Sequence, residues 1–82
     1  MEGNWLDPCA VGDLISDARH KAGLTQETLS GLAGIGRTHL SAIERGLRIP
    51  TLETMFRICY ALNIDSCDMI KEIEKNFVIK SL

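Results

Sequence analysis

No apolar run in this chain approaches the ~20 residues that a membrane-spanning helix needs, so a span is excluded. The N-terminus has neither a basic region nor a long apolar one and does not read as a signal peptide. Cysteine is sparse: Cys9, Cys59 and Cys67 are odd in number and form no CxxC pair. That usage predicts unpaired thiols in a reducing cytoplasm rather than a disulfide framework. His20 and His39 stand apart and lack zinc spacing, so no metal site is expected. No glycine-rich loop follows a strand, which removes the usual nucleotide cradle. Ser41 and Glu44 have no histidine base between them, so nucleophilic catalysis is not expected. The chain therefore reads as a non-enzyme without cofactors. Internal repeats, low-complexity tracts and sustained period-2 alternation are also missing, and with them any expected sheet.

What is present is one small domain of 82 residues, 45% hydrophobic and 24% charged. A core of this size is marginal alone, which makes oligomerisation plausible. Helical spacing recurs along the chain and predicts an all-α fold of five helices. Val11, Leu14, Ile15, Ala18 and Ala22 mark a first helix over roughly 9–22, opened by Pro8 and stopped by Gly23. Thr25 is an N-cap for a second, with Leu29, Leu32 and Ala33 as its apolar stripe. Gly31 inside it costs about 1 kcal/mol relative to Ala. Gly34 then permits the positive φ that ends it. The third begins after Gly36 and runs to Arg45, with Leu40 and Ile43 inward, Ile35 packing in the turn, and Gly46 as the stop. Pro50-Thr51 opens a fourth, whose buried face is Leu52, Met55, Phe56, Cys59 and Leu62. Asp65-Ser66 caps a fifth, where Met69, Ile70, Ile73 and Phe77 recur. Cys59 and Cys67 are expected on core faces, as packing residues.

The second and third helices are short and joined by a tight glycine turn. Such proportions suit a helix lying in the DNA major groove, which is about 12 Å wide, with its first residues on base edges. A net charge of −2 looks wrong for that task, but its distribution matters more. Residues 1–18 carry four acids and no base. Residues 19–48 carry Arg19, Lys21, Arg37, Arg45 and Arg48 against Glu27 and Glu44, a net +3. Residues 49–82 carry five acids against four bases. The plain alternative is a solvated basic face with no partner.

Three pieces, LTQETL, AGIGRTHLSAIERG and PTLETMFRICYALNI, are moderately specific singly and highly specific in this order and spacing. Over Val11–Glu74 the chain resembles the phage-repressor/Cro-like (Xre) helix-turn-helix family. RTHLSAIERG followed by RICYALNI is most similar to the controller proteins of restriction–modification systems. The resemblance implies a compact lambda-repressor-like domain over residues 9–78, with an extension over 1–8 and a tail over 79–82. It implies a sequence-specific transcriptional regulator that binds a palindromic double-stranded DNA operator as a homodimer. No small-molecule ligand is expected.

By the same resemblance, Gln26 bonds a phosphate from the first turn of the second helix and supports the start of the third. The alternative for Gln26 is an exposed helix former. Arg37, Thr38 and Ala42 match positions that reach base edges. Arg37 can fork onto guanine O6 and N7, worth about 1–3 kcal/mol of discrimination; its alternative is phosphate binding without specificity. Thr38 can bond a base or press its methyl on thymine. Ala42 offers only apolar contact where other members carry longer polar side chains, which shifts weight to DNA shape. His39 and Ser41 flank these positions and are candidates for base or phosphate contact. Arg45 and Arg48 clamp the backbone, joined by Thr28, and position without reading sequence. Arg19 and Glu44 resemble a pair that ties the first helix to the third, a structural role. Ser30 sits where the motif needs a small residue, because the two helices cross closely there.

Met69, Ile73, Phe77 and Val78 extend an apolar stripe beyond what a small core needs and are the expected dimer surface. The alternative is that the FVIKSL end folds back on the first helix. Trp5 is expected to pack on the fifth helix or on a partner. Two rivals keep the fold: an antitoxin-like module that grips a toxin, and an interaction module that has lost DNA binding. Only short ends are left over to hold a toxin, and Gln26, Arg37, Arg45 and Arg48 argue against the second.

Overall fold

Asp7 starts the first helix. Its carboxylate accepts from the backbone N–H of Cys9 at 3.0 Å and of Ala10 at 3.3 Å, while Pro8 supplies a fixed φ and no orphan donor. The computed structural model describes residues 5–77, and every element in them is helical: α1 Pro8–Lys21, α2 Gln26–Ala33, α3 Arg37–Glu44, α4 Leu52–Leu62 and α5 Ser66–Phe77. The fold class is the expected one. Among the described residues no helix is long and apolar enough to cross a membrane.

Local chemistry sets the ends. Thr25 Oγ1 accepts from Thr28 N and Thr51 Oγ1 from Thr54 N, both at 3.1 Å. Asp65 Oδ1 accepts from Cys67 N at 2.8 Å and opens α5. Asn63 closes α4 in the left-handed region at φ 57°, a conformation that asparagine tolerates better than most residues.

The core is built from all five helices: Val11 and Ile15, Leu29 and Ala33, Leu40 and Ile43, Met55, Ile58, Cys59 and Leu62, then Met69 and Ile73. α3 packs on α1 and α2, while α4 bridges α2 and α5. Leu6 packs against this core from the expected N-terminal extension.

Several expected core positions lie elsewhere. Leu32, Leu52, Phe56 and Ile70 are exposed, whereas Ile58 is fully buried. The reason is geometric: at 100° per residue, Leu52 and Phe56 fall to one flank of the arc through Met55, Ile58, Cys59 and Leu62. Ile70 falls to the flank of Met69 and Ile73 in the same way. Cys67 is exposed rather than on a core face, while Cys59 is buried as expected. Burial, with a smaller push from Asp65, raises the Cys59 thiol above its ordinary pKa and keeps it protonated.

Candidate nucleic-acid interface

Two glycines hold α3 against α1. A Cβ on Gly12 would press on the carbonyl oxygen of Ile43 and come within 2.7 Å of that of Glu44. Both neighbours are backbone and cannot swing aside, so the two helices approach here as closely as a bare backbone allows. Gly46, at φ 78°, turns the chain under the start of α1, where a Cβ would sit 2.8 Å from Cys9 Cα. At the other end, Gly36 is the N-cap of α3 and makes no side-chain cap bond. The first-turn N–H groups beside Arg37 and Thr38 are thus without an internal cap, the arrangement that accepts an anion.

Glu44, the last residue of α3, is turned inward. Its carboxylate takes Arg19 Nε at 2.8 Å and Nη2 at 2.9 Å, and Gln26 Nε2 at 3.0 Å. Arg19 Nη1 also donates to the Leu24 carbonyl at 2.9 Å. Three helices and the α1–α2 turn therefore meet at one carboxylate. Burial pushes the Glu44 carboxyl up, but the bonds from Arg19 and Gln26 and the Arg19 charge outweigh it, so its pKa lies below the usual glutamate range. The bond to Glu44 holds the Arg19 guanidinium above its ordinary value against the cost of burial. Both groups stay charged at neutral pH.

The outer side of α3 is basic as a result. Glu44 is the only acid between residues 28 and 52, and it is spent on the interior pair. Arg37, Arg45 and Arg48 are all exposed, and so is Thr38, while His39, Ser41 and Ala42 are half-buried. Thr38, His39, Ala42 and Arg48 line one shallow depression of about 350 Å³. The fold thus brings Arg48, beyond the end of α3, onto the surface of residues from its first two turns. Thr28 is exposed on α2, with its hydroxyl held by Thr25 Oγ1 at 3.0 Å.

Gln26 supports the end of α3, through Glu44, rather than its start. One amide hydrogen is used there and the other is left for an outside acceptor. Ser30 is buried and satisfied, its Oγ donating to the Glu27 carbonyl at 3.0 Å. Met69 and Ile73, expected on a dimer surface, are 6% and 7% exposed and belong to the core of a single copy. The side chain of Phe77, together with Val78 and residues 79–82, lies outside the described residues.

Sequence reasoning missed Gly12, although a glycine inside a helix costs enough to ask for a reason. It also missed Leu47, 64% exposed between Arg45 and Arg48. No periodicity marks a loop residue as surface-facing.

A family model described as helix-turn-helix matches residues 15–68. The chain is 33% identical over 60 residues to y4dJ, an uncharacterised HTH-type transcriptional regulator of Sinorhizobium fredii, across 73% of this chain and 78% of that protein. It is 38% identical over 60 residues to the ImmF control region 10 kDa protein of Bacillus phage phi105, across 73% and 67%. Among solved structures it is similar to the restriction-modification controller protein C.AhdI from Aeromonas hydrophila. The TM-score is 0.74 and the identity 32%, over 77% of this chain and 96% of that one.

Proposed function

This chain belongs to the helix-turn-helix family of transcriptional regulators, and on that footing we propose that it binds a palindromic DNA operator as a homodimer in the cytoplasm. The observation that carries the reading is the outer side of α3. Arg37 on α3 and Arg45 and Arg48 just after it are exposed, while Glu44, the only acid between residues 28 and 52, is held by Arg19 and Gln26. Phosphate contacts from the cations Arg45 and Arg48 supply salt-dependent affinity, and Thr28 and Gln26 add neutral hydrogen bonds that position the chain. Arg37 and Thr38 read base edges, and His39, Ser41 and Ala42 shape the fit against the groove wall. Two copies related by a twofold axis set their α3 helices about 34 Å apart, one turn of DNA. Regulation follows from occupancy: where the operator lies relative to a promoter decides between repression and activation. The similarity to C.AhdI favours a controller of restriction–modification genes.

The test is selection of bound sequences from a random DNA pool, followed by titration at two salt concentrations. An enriched inverted repeat with half-sites one turn apart is the expected result. Weak, salt-sensitive binding without enrichment would overturn it and turn the search to a protein partner.

A further inference from the structure

Leu47 is a large apolar side chain in basic surroundings. It is 64% exposed and stands between the exposed cations Arg45 and Arg48. A lone apolar residue on a surface needs no explanation, but this one is held in place. Gly46 N donates to the Ile43 carbonyl at 3.0 Å and Leu47 N to the Ala42 carbonyl at 2.9 Å. Those are the two bonds of a Schellman stop, with Gly46 in the left-handed region at φ 78°. In such a stop the residue after the glycine commonly packs on the side chains third and fourth from the helix end. Here those are Ala42 and Ser41, and neither is large enough to cover a leucine.

The neighbours decide what covers it. Ala42 and Arg48 line one depression with Thr38 and His39. Leu47 is bonded through its backbone to the first of these and is followed in the chain by the second. A partner seated on Leu47 must therefore bring anions for two arginines and an apolar group for the leucine. DNA brings both: phosphates on its backbone and, in the major groove, the C5-methyl of thymine. Ala42 ends at its own Cβ, whereas the longer leucine side chain extends beyond it. Because the turn is already fixed, the contact costs no ordering of a loop.

We propose that Leu47 is a specificity-determining residue: it packs on the C5-methyl of one thymine in each half-site, beside Ala42, and so selects thymine there. This inference rests on the DNA-binding reading above and adds to it a base contact from outside α3.

Deoxyuridine differs from thymidine by that methyl alone, so it isolates the contact. The operator obtained by selection is remade with each thymine of one half-site replaced singly by deoxyuridine, and the full chain is titrated on every duplex. Wild type is expected to lose about fourfold in affinity at one position, the worth of one buried methyl-sized group. Leu47→Ala binds the thymine and uracil duplexes equally at that position and matches wild type in its response at the others. Leu47→Met, which keeps an apolar side chain of similar length, retains the discrimination. Both variants keep wild-type helical circular dichroism, since the side chain lies outside the core. A half-site without thymine, equal binding of thymine and uracil duplexes by wild type at every position, or a discrimination that persists in Leu47→Ala overturns the role of Leu47 while leaving operator binding standing. Selection that enriches no sequence at all overturns the DNA-binding reading itself, and this contact with it.

Discussion

Arg19 and Glu44 meet through two parallel contacts, Nε to Oε2 at 2.8 Å and Nη2 to Oε1 at 2.9 Å, across 25 residues of chain. Both residues are 8% exposed, so this is a desolvated bidentate pair, and it joins the last turn of α1 to the end of α3. Pairs of this kind fix geometry more than they add net stability, yet removing one partner strands the other charge. Glu44→Ala is therefore expected to destabilise the fold by about 3–5 kcal/mol. The double change Arg19→Met with Glu44→Leu should recover most of that loss. Urea unfolding followed by circular dichroism measures both. A single variant that melts like wild type would show that the pair carries no geometric burden.

The same pair gives stability a pH dependence of known sign. The Glu44 carboxyl is held below its ordinary value in the folded chain, so the folded state prefers the ionised form. Its contribution is fully present above the ordinary glutamate pKa and is lost as pH falls through the depressed one. Arg19 remains charged throughout that range. Thermal melts taken at successively more acid pH should fall more steeply for wild type than for the Arg19→Met, Glu44→Leu double variant. Parallel curves would mean that other carboxylates dominate acid unfolding.

Much of this could be read from the chain, and the failures share one cause. Caps, stops and helix order depend on residues next to one another, so Thr25, Thr51, Asp65 and Gly46 were legible from local chemistry. The family resemblance supplied Arg19 with Glu44. What escaped was decided by azimuth and by packing between distant elements. A stripe wide enough to hold Leu52, Met55, Phe56, Cys59 and Leu62 spans more of the α4 surface than one neighbour can cover. Nothing local tells which edge stays in water. Met69 and Ile73 looked surplus because a sequence does not state how much core five helices require. Gly12 escaped because its role is defined by carbonyls more than thirty residues away.

Gly12→Ala tests that close approach. Alanine is the better helix former by about 1 kcal/mol, so in an open site the change would stabilise. Here the added methyl meets the carbonyl oxygens of Ile43 and Glu44, and α1 must move away from α3. A net destabilisation of about 1–3 kcal/mol is expected. Gly31→Ala, where nothing lies within 4 Å, should instead stabilise by roughly 0.5–1 kcal/mol. Opposite shifts in melting temperature for the two variants are the expected readout. A stabilised Gly12→Ala would mean that the helices sit farther apart than described.

Arg37 is separated from Arg45 and Arg48 by what each can touch. All three are exposed cations on α3 or within four residues of its end, so net charge alone would make them equivalent. Arg37 opens α3 at the uncapped end, where a helix entering the groove meets base edges. Arg45 and Arg48 follow α3 at the chain turn, and in the reading proposed above they meet the phosphate backbone. Removing a phosphate contact should weaken every sequence alike and lower the slope of log affinity against log salt by about 1. Removing a bidentate base contact should cost about 1–3 kcal/mol on the operator and little on random DNA, with the salt slope nearly unchanged. Titrations of Arg37→Ala, Arg45→Ala and Arg48→Ala on operator and random duplexes at several salt concentrations distinguish these outcomes. If Arg37→Ala lowers both affinities equally, Arg37 is a phosphate contact, and base selection passes to Thr38 and to the groove-wall residues His39, Ser41 and Ala42.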